Sequence, residues 1–136
     1  MSQENVEIVR RVYDAVSRGD HATVLAAYHP EVEWDFSRSP FRRVMDRRIY
    51  RGPEGMRSLI RERYEAWETA DDHLEEAIDA GEQVVSVVVS QGRGRASGAE
   101  VKQRHHGVWT FRDGKIVRVA WLGTREEALE AAGLPE

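Results

Sequence analysis

Cysteine is absent from this 136-residue sequence. Disulfide staples and thiolate nucleophiles are therefore excluded. Lysine is almost absent: two lysines stand beside 18 arginines, a bias we read as genomic composition. No apolar run approaches the roughly 20 residues of a membrane-spanning helix. The start, MSQENVEIVRR, has no apolar core of the secretory-signal type. The formal net charge of -4 gives no general pull towards nucleic acid or an anionic membrane. No His, Asp and Glu spacing reads as a metal site, and no motif asks for a cofactor. These absences leave a cytoplasmic protein with one domain over residues 1–136. A chain of that size buries roughly two-thirds of its unfolded surface.

What the sequence does hold is strand-forming sequence near its C-terminus. His105 to Gly123, HHGVWTFRDGKIVRVAWLG, places two runs rich in Val, Ile, Trp, Phe and Thr around Arg112-Asp113-Gly114. Such side chains suit a pleated surface, and Asp-Gly between them signals a hairpin. A two-residue turn would put Phe111 with Ile116 and Trp109 with Arg118. A three-residue turn, with Gly114 as a left-handed bulge, would put Trp109 and Phe111 with Val117, Val119 and Trp121. The second register collects a nearly continuous apolar face that His105 joins, so the hydrophobic pattern selects it. His106 then faces outward.

Upstream, residues 3–18 form an amphipathic helix with Ser2 as its cap, and Asp20 caps a second over His21–Tyr28. Glu31–Phe36 alternates as a half-buried strand. Ser37–Arg51 is an arginine-rich loop with a brief extended piece at Ile49-Tyr50. Gly52-Pro53-Glu54 opens a third helix whose apolar stripe runs through Met56, Leu59, Ile60, Tyr64 and Trp67. Leu74–Ala80 and Val84–Gln91 are strands; the VVSVVV run predicts a strand covered on both faces. Thr124 caps a last helix over Arg125–Ala132. Helices grouped before successive antiparallel strands indicate an α+β fold with helices on one face of a curved sheet.

With VYDAVSRGD, HPEVEW, YRGPEGMR, VWTFRDGKIVR and REEALEAAGL in this order, the chain resembles the SnoaL-like branch of the nuclear transport factor 2-like superfamily. The resemblance covers nearly the whole chain. It implies a cone: a strongly bent antiparallel sheet on N-terminal helices, with a pocket at the open end. It also implies a hydrophobic small-molecule ligand and a homodimer through the outer sheet face, where Val108, Ile116 and Leu122 would lie. Members include polyketide cyclases, ketosteroid isomerases, epoxide hydrolases, dehydratases and proteins without catalysis, so the fold alone does not choose.

In such a cone Trp34, Phe36, Tyr50, Tyr64, Trp67, Trp109 and Trp121 would line the pocket; the alternative is that the rings fill a core. Tyr13 resembles the tyrosine that ketosteroid isomerases use to hydrogen-bond an enolate oxygen, against the alternative of a core tyrosine. The isomerase base would fall at Phe36. Asp35 beside it has outward parity, and a bulge would be needed to turn it in. The second isomerase acid would fall at Gly107. His105 is the remaining general base, with an ordinary pKa near 6.5. Two readings result. One is an acid–base isomerase, cyclase or hydrolase acting on a hydrophobic carbonyl or polycyclic compound. The other is a ligand-binding or assembly module without turnover.

Overall fold

The computed structural model describes residues 2–135. Helix α1 (Ser2–Arg18) and helix α2 (His21–Ala27) lead into β1 (Tyr28–Arg38). A single 3-10 turn (Arg42–Val44) and β2 (Ile49–Arg51) precede α3 (Gly52–Ala66). Then follow β3 (Trp67–Ala80), β4 (Gln83–Gly94), β5 (Glu100–Arg112), β6 (Lys115–Leu122) and α4 (Arg125–Ala131). The expected Ser2 cap lies outside the described side chains. Asp20 does cap α2, its carboxylate accepting from Thr23 N–H at 3.1 Å. Thr124 and Glu127 close a capping box on α4.

The six strands form one sheet in the order β2-β1-β6-β5-β4-β3. All neighbours are antiparallel except β1 and β6, which run parallel. Helix α1 packs on β3 and β4, and α3 on β1, β2 and β3. Between them and the sheet lies the main core, from Val6, Val9 and Val12 to Val84, Trp109 and Val119. Strand β4 is covered on both faces, with Val84 through Val88 all buried. No helix among the described residues is long and apolar enough to cross a membrane.

The hairpin differs from the expected register in an instructive way. Its turn is two residues, Asp113 (φ 54°) and Gly114 (φ 74°), with Arg112 paired to Lys115. Both angles are left-handed, as the mirror-image type I turn requires. Phe111 therefore faces Ile116. The extra residue sits further along: the pairing shifts between Phe111↔Ile116 and Thr110↔Arg118, leaving Val117 as a bulge. Beyond it Trp109 faces Val119 and Gly107 faces Trp121. The two indoles share the inner face, with ring centroids 5.7 Å apart. The bulge, rather than the turn, brings them together. One consequence is that Ile116 is fully buried in the main core, not on the outer face.

The outer face has its own cover. Val85, Val108, Leu122 and Ala128 form a second cluster, joined by Ile78, Ala132 and Leu134. Helix α4 thus occupies the patch that Val108 and Leu122 would have offered to a second copy. His106 faces this side, as expected, but is only 6% exposed. Strand β3 starts at Trp67, seven residues before the expected Leu74, so Trp67 opens a strand rather than closing a helix stripe.

Candidate functional site

Three adjacent strands bring a polar chain to the inner face of the sheet. His105 on β5 sits opposite Val88 on β4, two residues from Ser90, which pairs with Asp72 on β3. The strand pleat then puts Asp72, Ser90 and His105 on the same side. Ser90 Oγ is 2.6 Å from Asp72 Oδ1 and 2.8 Å from His105 Nε2. Arg63 on α3 closes the chain, Nη1 to Asp72 Oδ2 at 3.1 Å.

Donor and acceptor bookkeeping fixes the proton positions. An ionised carboxylate only accepts, so Ser90 donates to Asp72. The serine oxygen then accepts from His105, which carries its proton on Nε2. Nδ1 is left with a lone pair, and it is buried with no partner among the described residues. Burial pushes the His105 pKa down to about 4, with His106 adding to the drop and the Asp72 charge opposing it. The ring is therefore neutral at pH 7.

Aromatic rings surround it. Trp121 is 4.9 Å from His105 between centroids, and Phe41 meets His105 edge-on at 5.3 Å. Phe41 also touches Trp67 (6.5 Å), and Phe36 spans from Trp121 (6.3 Å) to Tyr50 (5.6 Å). Trp121 Nε1, like His105 Nδ1, is buried without a partner among the described residues.

Of the residues expected at the site, His105, Trp121, Phe36 and Trp67 are thus gathered at one end of the inner face. The rest are elsewhere. Trp109 is 2% exposed and donates from Nε1 to Ser86 Oγ at 2.9 Å, so it is a core ring with a satisfied N–H. Tyr13 packs edge-on against Trp109 at 5.7 Å. Burial raises its phenol pKa well above the ordinary value, with the Asp72 charge adding and a Ser86 hydrogen bond opposing. Trp34 is buried against Tyr28. Tyr50 is fully buried and donates to Glu62 Oε1 at 2.7 Å.

Two expectations are corrected. Tyr64 is 63% exposed and faces solvent from α3. Asp35 keeps its outward parity: its Oδ2 accepts from Arg118 Nη2 at 2.8 Å and its Oδ1 from Ser37 N–H. Pairing with Arg118 on the outer face gives that carboxylate a partner there, and Phe36 takes the inward place.

Sequence reasoning missed Asp72, Ser90, Arg63, Phe41 and Glu62. Ser86 and Ser90 do share the parity of Val84 and Val88, which is a usable signal for two polar groups on the inner face of β4. Phe41 lies in a loop without period. Glu62 is 8% exposed; its Oε1 also accepts from Asp46 N–H at 3.0 Å, while Oε2 has no partner among the described residues. A separate groove of about 410 Å³ lies beside this loop, lined by Ser37, Arg38, Pro40, Arg42, Gly123 and Glu127.

The sequence pattern of the SnoaL-like domain matches residues 9–119. The chain belongs to the SnoaL-like domain family. No curated protein sequence matches it. Among solved structures it is similar to a nuclear transport factor 2-like protein from Burkholderia thailandensis. That pair has 29% identity and a TM-score of 0.76, over 96% of this chain and 97% of that one. TerC co-crystallised with polyporic acid superposes with a TM-score of 0.77 at 20% identity, over 96% and 98%. A protein with a ketosteroid isomerase-like fold from Catenulispora acidiphila, in complex with trimethylamine, gives 0.70 at 15% identity, over 95% and 94%. These last two likenesses concern the fold. Within this SnoaL-like chain Phe36 on β1 and Gly107 on β5 bring no carboxylate to the inner face. Its inward polar groups come instead from β3, β4 and β5.

Proposed function

We propose that this SnoaL-like protein takes a hydrophobic carbonyl or polycyclic small molecule at the His105 end of its inner face. There His105 acts as general base in an isomerase-, cyclase- or hydrolase-type reaction. One observation carries the reading: His105 Nδ1 is a buried, unpartnered acceptor, while Nε2 is tied through Ser90 to Asp72. A neutral imidazole held in one tautomer is ready to take a proton. The charge that would then form on the ring lies one hydroxyl away from the Asp72 carboxylate, which Arg63 keeps in place. Tyr13, kept protonated by burial, is one layer deeper beside Ser86 and acts on the packing of Trp109. A base whose pKa is about 4 suits an acidified proton, such as one on a carbon flanked by carbonyls. The fold relatives solved with polyporic acid and with trimethylamine favour a small-molecule ligand for this one.

The second reading is ligand binding without turnover, and the edge-on cover of His105 by Phe41 favours it. The two separate in one experiment. Deuterium exchange at the acidic carbon of a panel of 1,3-diketones is followed by NMR in D2O. Exchange above background with wild type, lost in a folded His105→Ala, supports the base. Binding without exchange supports the second reading. Equal exchange in both proteins removes His105 from the chemistry.

A further inference from the structure

We infer that Trp121 Nε1 and His105 Nδ1 form a two-point site for a neutral hydroxy-carbonyl compound on an apolar body. The indole N–H donates to its carbonyl oxygen, and the imidazole nitrogen accepts from its hydroxyl. This rests on the reading of the His105 end as the small-molecule site and adds what the ligand must carry there.

Buried polar atoms without partners are uncommon in folded proteins. Here two lie on adjacent rings, with opposite hydrogen-bonding character. The Trp121 atom can only donate, and the His105 atom, by the proton bookkeeping of the Ser90 chain, can only accept. Trp121 is held in orientation by Gly107. A side-chain carbon added there would come within 2.8 Å of Trp121 Cζ3, so the benzo edge of the indole rests on the glycine. Nε1 is at the opposite edge of the ring system. The His105 and Trp121 planes are tilted by 51°.

The surroundings select further. Phe36 and Phe41 flank the pair, which suits an apolar body. Asp72 lies behind Ser90. A carboxylate ligand would approach that charge and would leave Nδ1 without a donor. A simple ketone satisfies only Nε1.

The test uses three neutral probes on the full chain: α-hydroxyacetophenone, acetophenone and 2-phenylethanol, with affinity read by ligand-observed NMR. Wild type is expected to bind α-hydroxyacetophenone about tenfold more tightly than either of the others. Trp121→Phe should erase its advantage over 2-phenylethanol and keep its advantage over acetophenone. His105→Phe should do the reverse, and if that variant fails to fold, Trp121→Phe decides alone. Equal binding of all three to wild type overturns the two-point site and leaves the reading of the His105 end as a small-molecule site standing. An undiminished preference in Trp121→Phe also overturns it. If no probe binds wild type, the reading of the site falls with it.

Discussion

The Ser90 hydroxyl lies 2.8 Å from His105 Nε2 and donates its own hydrogen bond to Asp72. A hydroxyl in that position is a tautomer switch set one way. Ser90→Ala removes it and leaves a buried N–H unpaired, at a cost of about 1–3 kcal/mol. Nitrogen-15 NMR of the imidazole should show wild-type His105 as a single tautomer protonated at Nε2. In Ser90→Ala the two tautomers should mix. A wild-type ring protonated at Nδ1 would break the proton assignment from which the base is argued.

The same ring makes stability pH-dependent. The folded pKa of His105 is about 4, held down chiefly by burial, whereas an unfolded histidine titrates near 6.5. Between those values the unfolded chain binds more protons, so stability rises with pH. The contribution is complete above about pH 6.5 and is lost as pH falls towards 4; in full it is worth about 3 kcal/mol. His106, also lowered by burial, adds in the same direction. Urea unfolding between pH 7.5 and 4.5 should show this slope, and His105→Leu should flatten it. A wild-type stability independent of pH across that window would contradict the burial of a neutral ring.

How much of this could be read from the letters depends on where strands keep strict alternation. In β5 they do, and His105 and Trp109 fall on the inner face as their parity requires. In β3 they do not. The register shift between Leu74 and Glu76 leaves Glu75 as a bulge, so Leu74 faces the main core while Ile78 faces the outer cluster. A period-2 reading puts those two on one face. The polar run before them, ETADD, then looks like loop, and Asp72 disappears from view. A similar displacement in β6 put Val117 where Ile116 belongs. The Asp20 and Thr124 caps were legible because each depends on a few adjacent residues. The polar chain was not, because it is assembled across three strands and a helix.

Gly107 is the point where the inner face is tightest. An added side-chain carbon would meet Ser86 Oγ at 2.7 Å, Trp121 Cζ3 at 2.8 Å and Trp109 Nε1 at 2.9 Å. Two of those atoms belong to large rings already packed against each other, so the neighbourhood has little room to yield. Gly107→Ala should cost about 1–3 kcal/mol through overpacking. The near-ultraviolet circular dichroism of the tryptophan pair should change with it. An unchanged melting temperature and unchanged aromatic spectrum would mean that the two indoles are not fixed by this contact.

Glu62 anchors the loop that carries Phe41 over His105. A single carboxylate oxygen accepts from Tyr50 Oη and from Asp46 N–H, and Tyr50 Oη in turn accepts from Arg47 N–H at 3.2 Å. Burial and this carboxylate together push the Tyr50 pKa up to about 12, so the phenol stays a donor throughout the working range. Glu62→Leu fills similar space but leaves the buried Tyr50 hydroxyl and the part-buried Asp46 N–H without their acceptor, which should cost about 2 kcal/mol or more. Because those donors belong to residues 46 and 50, the damage should be local before it is global. Amide hydrogen exchange at Asp46 and Arg47 should accelerate far more than at Val88 or Val108 in the sheet. Glu62→Gln, which keeps a carbonyl acceptor, should restore most of the protection. Uniform acceleration across the sheet in both variants would show instead that Glu62 supports the whole core, and that the Phe41 loop has no anchor of its own.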